Sequence, residues 1–261
     1  MSAPTACPGV VRRAEIMGTV VSFDVRTPAA ADTIDTAVDE AVTWLRWVDD
    51  TFSTYKQNSE VNRFDRGELA LEDCCAELAA MVTLCRGFNK ETKGFFDAWA
   101  GPRFDPSGVV KGWSMDRASD ILCGHGLVDH VVDGGGDIRL RGAPGTGPSW
   151  TVGVRHPVRH DAYCAVLLVG KGAVATSGTY ERGPHVFDPF TGRPAVGLAS
   201  ATVVGPDLTT ADAFATAALA MGLRAPDWLS SLEGYEAQVI TSQGTSWSTP
   251  GFKCLAVQPQ G

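Results

Sequence analysis

This 261-residue chain lacks several features that mark common chemistries. It has no run of Lys or Arg, and its net charge is −8. Nucleic-acid grooves and anionic membrane surfaces are recognised by clustered positive charge, so neither is expected as a partner. No apolar stretch approaches the length of a transmembrane helix, so no transmembrane segment is expected. Residues Met1 to Cys7 carry neither a basic segment nor an apolar h-region. They do not read as a signal peptide, which makes the cytoplasm the expected location; an exported form trimmed of its leader would look the same. The seven cysteines are odd in number and contain no C-x-x-C pair, which supports neither a zinc site nor a disulfide framework. A G-x-G-x-x-G helix start, a G-x-x-x-x-G-K-[ST] loop and a G-x-S-x-G elbow are all missing. Those absences exclude the dinucleotide, P-loop and hydrolase fingerprints.

What is present is an ordinary globular composition, 44% hydrophobic and 20% charged, with enough chain for a substantial core. Val21, Phe23 and Val25 alternate with Ser22 and Asp24, so Val10 to Arg26 reads as one or two strands. Ile34, Val38, Val42 and Leu45 recur at helical spacing and predict a helix over Ala29 to Trp47. Further helices are expected over Leu71 to Phe88, with Cys74 and Cys75 inside it, and over Lys111 to Cys123 and Thr210 to Met221, where Gly222 follows. Strands are expected over 128–132, 137–141, 150–155 and 162–169, near Ala173 and Ala201, over 236–241 and near Lys253. Short turns between neighbouring strands, without a strict βαβ order, predict an α+β fold with largely antiparallel sheets and interspersed helices. A single domain over 1–261 is expected.

Several polar clusters suit a phosphate-bearing ligand. Asp105-Pro106-Ser107-Gly108-Val109-Val110-Lys111-Gly112-Trp113-Ser114-Met115-Asp116 places two aspartates, two glycines and a lysine where a loop opens a helix. Glycine lets backbone N–H groups approach phosphate oxygens, and lysine and the helix N-terminus add positive charge. Asp212 and Thr216 lie four apart on one helix face and together offer the hard oxygens that magnesium takes. The alternative for that pair is a helix-dipole contact and a back-bond to a carbonyl. Asp133-Gly134-Gly135-Gly136-Asp137 is a tight turn or a close approach to a ligand. His185 is a proton acceptor, a phosphate donor or a satisfied structural histidine. Arg182 binds phosphate or pairs with Glu181 or Asp188. Met17 and Tyr55 suit the walls around a flat ring, or the core.

Taken in order, six motifs resemble the ApbE family, the magnesium-dependent FAD:protein FMN transferases once called thiamine-biosynthesis lipoproteins. They are Met17-Gly18-Thr19; Ser53-Thr54-Tyr55 with Ser59-Glu60; Gly94-Phe95-Phe96-Asp97 with Gly101-Pro102; Asp105 through Asp116; Gly135-Gly136-Asp137; and Ser177-Gly178 through Pro194, followed by Ala211-Asp212-Ala213. The likeness spans about residues 17–222. It implies an ApbE-like, T-fold-like domain that transfers FMN from FAD to a serine or threonine hydroxyl of an acceptor protein and releases AMP. Met17, Tyr55, Phe95, Phe96, Asp97, Asp105, Lys111, Asp116, Gly135 and the Val186 backbone are implied to lie along FAD. Asp212, Thr216 and a backbone carbonyl near Gly108 are implied to hold Mg²⁺, and His185 and Asp212 are the implied catalytic residues. Two departures stand out. Asp133 and Gly134 replace the asparagine that usually precedes Gly-Gly-Asp, and Val110 replaces the alanine before the lysine. The rival readings are an FAD pyrophosphatase yielding FMN and AMP, and a flavin-binding protein without catalysis.

Overall fold

The computed structural model describes residues 9–145, 147–159, 161–179 and 186–257. Its frame is an eight-stranded sheet in which every neighbouring pair is antiparallel. The strands are β1 (Val10–Ile16), β2 (Thr19–Val25), β3 (His130–Gly134), β4 (Ile138–Arg141), β7 (Gly172–Gly178), β10 (Leu198–Gly205), β11 (Glu236–Thr241) and β12 (Ser246–Ser248), in that spatial order. Two hairpins stand outside it: β5 (Trp150–Arg155) with β6 (Tyr163–Val169), and β8 (Phe187–Asp188) with β9 (Arg193–Pro194).

The centre of the sheet is covered on both faces. Helices α1 (Ala31–Phe52), α3 (Ala76–Glu91), α4 (Ser107–Gly124) and α5 (Leu208–Met221) lie over one face, where Ala173, Ala175, Ala201 and Val203 join the larger core. The β5–β6 hairpin and α7 (Pro250–Leu255) cover the other, where Trp150, Val152, Leu167 and Phe252 meet Leu140, Val174 and Val204. Strand β10 is accordingly buried along nearly its whole length, the mark of a strand with both faces packed. Helix α5 is apolar almost all round because it sits between the sheet, α4 and the short α6 (Ala225–Leu229), with Phe214 edge-on to Trp228.

Four sequence expectations need correction. The helix expected from Leu71 is broken: a 3-10 turn covers Leu71–Asp73, Cys74 and Cys75 are extended, and α3 starts at Ala76. A short helix α2 (Glu60–Asp65), capped by the Ser59 side chain, fell below the length at which periodicity shows. The segment near Lys253 is α7 rather than a strand; Pro250 occupies a first-turn position where its missing N–H is harmless. Helix α4 begins at Ser107 rather than Lys111, so Gly108 stands on the helix itself and not in a loop before it.

Candidate functional site

The site forms where α4 and α5 cross. A Cβ on Gly112 would lie 2.5 Å from the Leu208 carbonyl oxygen and 2.9 Å from the Asp212 Cβ, so only glycine permits this approach. Four residues earlier, a Cβ on Gly108 would lie 3.0 Å from the Thr216 Oγ1. Contacts thus run from Asp116 to Leu208, Gly112 to Asp212 and Gly108 to Thr216, which makes the two helices antiparallel neighbours.

Asp212 is buried, and its Oδ2 accepts the Gly112 N–H at 2.9 Å. In an α-helix that N–H points at the carbonyl four residues back, Gly108. A proton directed at a carboxylate serves that carbonyl less, so the Gly108 oxygen is freer to meet a cation. Asp212 carboxylate, Thr216 hydroxyl and Gly108 carbonyl are all hard oxygens, a donor set that fits a small divalent cation. Among the described residues no three His, Cys, Asp or Glu side chains converge. A cation here would therefore rest on one carboxylate and neutral oxygens, with room for anionic ligand oxygens. Ser177, on β7, meets Thr216 at 3.2 Å between hydroxyl oxygens.

Lys111 supplies the positive charge. Its Nζ lies 2.8 Å from Oδ2 of the buried Asp137, whose Oδ1 accepts the Thr176 N–H at 3.0 Å. Asp137 follows the glycine turn, which is closed by Asp133: its Oδ1 accepts the Gly136 N–H at 2.8 Å. The departure at Asp133 thus has a structural use within the turn. Gly135, at φ +79°, packs against the Thr19 hydroxyl with no room for a Cβ. This sets the turn beside the two-residue β1–β2 turn, Met17 (φ +54°) and Gly18 (φ +69°), where Met17 is half-buried.

A third wall comes from the segment after α3. The Asp105 N–H donates to the Ala98 carbonyl at 2.8 Å, closing a loop that brings Asp97 and Asp105 together. Burial raises the Cys85 thiol to about 12, and the negative charges of Asp105 and Asp97 add to the shift. Asp97 accepts from Trp99 N–H and Asp105 from Ser107 N–H, each at 2.9 Å. The half-buried Phe95 ring lies 4.9 Å from Phe190 and under the Arg224 guanidinium at 4.5 Å. Arg224 also pairs with Asp188 at 3.3 Å. The Val186 carbonyl accepts the Ala195 N–H at 2.8 Å at the base of the β8–β9 hairpin. Tyr55 is 84% exposed beside an open cleft of about 660 Å³ that Asn62, Arg66 and Arg103 also line. Asn62 Nδ2 holds the Tyr55 loop by donating to the carbonyls of Ser53, Thr54 and Lys56.

Two of the residues implied to lie along the ligand also make internal contacts. Asp116 is engaged by the protein: its carboxylate accepts from the N–H groups of Leu208 and Thr209 and the Thr209 hydroxyl, and it lies 3.0 Å from Arg139 Nε. It caps α5 and neutralises a largely buried guanidinium. Phe96 is buried, edge-on to Phe88, with its N–H bonded to Thr92 Oγ1 and its carbonyl to Asn89. Its ring lies against Gly108. His185 and Arg182 lie outside the described residues. Gly112, Asp137 and Ser177 belong to motifs visible in the sequence, but only the helix crossing and strand register reveal what they touch.

The ApbE family pattern matches residues 17–105 and 100–239. An FAD:protein FMN transferase of Vibrio cholerae is 26% identical over 269 aligned positions, covering 79% of this chain and 79% of that protein. One from Rhodobacter capsulatus is 33% identical over 170 positions, covering 61% of this chain and 32% of that protein. The crystal structure of the ApbE protein of Thermotoga maritima superposes with a TM-score of 0.82 at 22% identity, over 96% of this chain and all of that one. The fold is therefore shared with that structure, and with most of its length matched by the family pattern, the chain belongs to the ApbE family.

Proposed function

We propose that this chain transfers FMN from FAD to a serine or threonine hydroxyl of an acceptor protein, with Mg²⁺ and release of AMP. The names of its relatives support flavin transfer. The observation that carries the finer reading is the meeting of Gly108, Asp212 and Thr216 at the α4–α5 crossing, one helical turn from the Lys111–Asp137 pair.

In this reading Asp212, Thr216 and the Gly108 carbonyl hold Mg²⁺, which neutralises charge on the diphosphate bridge when bound. Lys111, steadied by Asp137, offers its ammonium to the same oxygens. Met17, Phe95 and Tyr55 line the nucleotide's flat rings, and the Asp97–Asp105 loop borders it. The acceptor hydroxyl attacks the flavin-side phosphorus, an oxygen–phosphorus bond forms, and the bond to the bridging oxygen breaks. AMP leaves with that oxygen. The hydroxyl proton passes to a base, for which His185 is the candidate. Fixed charges and positioning do most of the catalysis, as in other phosphoryl transfers.

The test is incubation with FAD, Mg²⁺ and a flavin-acceptor domain. A fluorescent acceptor band on a denaturing gel together with AMP is the expected result. Free FMN without a labelled acceptor would replace this reading with FAD hydrolysis. Tight FAD binding without AMP would replace it with a flavin carrier.

A further inference from the structure

Thr216 differs from three other threonines of the long helices. Thr36, Thr43 and Thr83 each donate to the carbonyl four residues back, at 2.7, 2.8 and 3.1 Å. That bond satisfies the hydroxyl within its own helix. Thr216 instead reaches out of α5 to Ser177 Oγ at 3.2 Å, on a different element. The β7 residues on the same face as Ser177 are Ala173 and Ala175, both fully buried against α5. Their small size lets the helix lie close to the strand, and Ser177 is where this row acquires a hydroxyl at the edge of the site.

We infer that Ser177 is a positioning residue for the cation site, accepting the Thr216 proton so that the Thr216 oxygen presents its lone pairs to the ion. A hydroxyl has one proton and two lone pairs. Ligation to a cation draws density from the oxygen and strengthens its need for an acceptor, and neighbours of this kind fix the orientation of metal ligands. Without Ser177 the proton has the acceptor that Thr36, Thr43 and Thr83 use, the carbonyl four residues back in the helix. Turning to it would change the direction in which the Thr216 lone pairs point. This inference rests on the metal reading proposed above, but concerns a residue that reading does not use.

The test is Mn²⁺ binding followed by electron paramagnetic resonance, using the full chain with FAD present and no acceptor. S177A is expected to weaken Mn²⁺ affinity by about tenfold, the lower range for loss of a residue that orients a metal ligand. S177T, which keeps the hydroxyl, is expected to stay near wild type. If S177A alters the far-UV spectrum, S177C takes its place, since it keeps the shape but is a weak acceptor. Wild-type Mn²⁺ affinity in the hydroxyl-free variant, with binding lost in D212A, would overturn the inference. Unchanged binding in D212A and T216A would instead remove the metal site itself, and the inference with it.

Discussion

Helices α4 and α5 exchange carboxylates, and the two ends of their crossing use them differently. At one end Asp116, on α4, caps the first turn of α5 and faces Arg139; all its contacts are internal. At the other end Asp212, on α5, accepts the Gly112 N–H from the interior of α4, beside a threonine hydroxyl and a glycine carbonyl. An α-helix has unsatisfied N–H groups in its first turn, so the first carboxylate meets a structural need. The second takes an N–H from mid-helix, where the ordinary acceptor is the Gly108 carbonyl, so its contact with α4 meets no end-of-helix need. It is buried beside the other oxygens of the proposed cation site. One end holds the helices together, and the other carries the proposed site.

The largest predicted effect lies at the chemical end. Asp212→Ala is expected to abolish Mg²⁺-dependent FMN transfer, a loss of 10³-fold or more, on the order of 4 kcal/mol in transition-state stabilisation. Its thermal midpoint should move less than that of Asp116→Ala, because the Gly112 N–H can bond the Gly108 carbonyl once the carboxylate is gone. Gel fluorescence of an acceptor and a melting curve measure the two together. A variant that melts early but still transfers FMN would reverse the roles assigned to the two aspartates. Asp116→Ala is the converse. It removes a cap and leaves Arg139 buried beside an empty space, where desolvation already lowers its pKa. Unfolding free energy should fall by about 3 kcal/mol, read by denaturant titration, with residual activity in the folded fraction.

A pH titration probes the same structural end. His130 is fully buried on β3, with Nε2 2.8 Å from Ser119 of α4 and Nδ1 2.6 Å from the Leu127 carbonyl. Burial pushes its pKa down from 6.5 to about 4, and the nearby Arg141 and Arg139 add to that. The folded protein therefore resists a proton that the unfolded chain accepts below pH 6.5. The stability this group contributes is complete above pH 6.5, falls as pH drops toward 4, and is lost below that. The difference amounts to about 3 kcal/mol. Equilibrium unfolding at steps across that window measures it, and His130→Asn should flatten the curve there.

Much of this was legible in the sequence, unevenly. Strands such as β5 and β11 showed their bounds because alternation marks a strand with one wet face or a clear edge. Helix α2, at six residues, is too short for a period, and α7 hid because a proline that opens a helix resembles a turn. The candidate cation ligands Asp212 and Thr216 were visible as a helical pair, and their meeting with Gly108 followed from the family resemblance. The internal partners of Asp116 were not legible, for a physical reason. In sequence, a carboxylate beside a glycine–lysine run has the same appearance whether it faces a ligand or a helix end, and only the position of Leu208 and Thr209 decides. Ser177 and Asp137 carry no periodic signal, since their partners lie 39 and 26 residues away across the sheet.

The smallest effect gives the sharpest separation of the two ends. Thr209 adds a hydroxyl to the Asp116 cap at 2.6 Å, and Asp207 supplies its own cap through the Thr210 N–H at 2.8 Å. Both groups sit in the first turn of α5, and Asp212 follows in the next. Thr209→Val keeps the shape and removes one charge-assisted bond, worth about 1 kcal/mol. Because Asp207 still anchors the same turn, the helix should keep its path and Asp212 its place. The expected outcome is a lower denaturation midpoint with an unchanged Mg²⁺ concentration for half-maximal transfer. A shift in that concentration would mean that the cap positions the site as well as the helix, and the division between the two ends would fail.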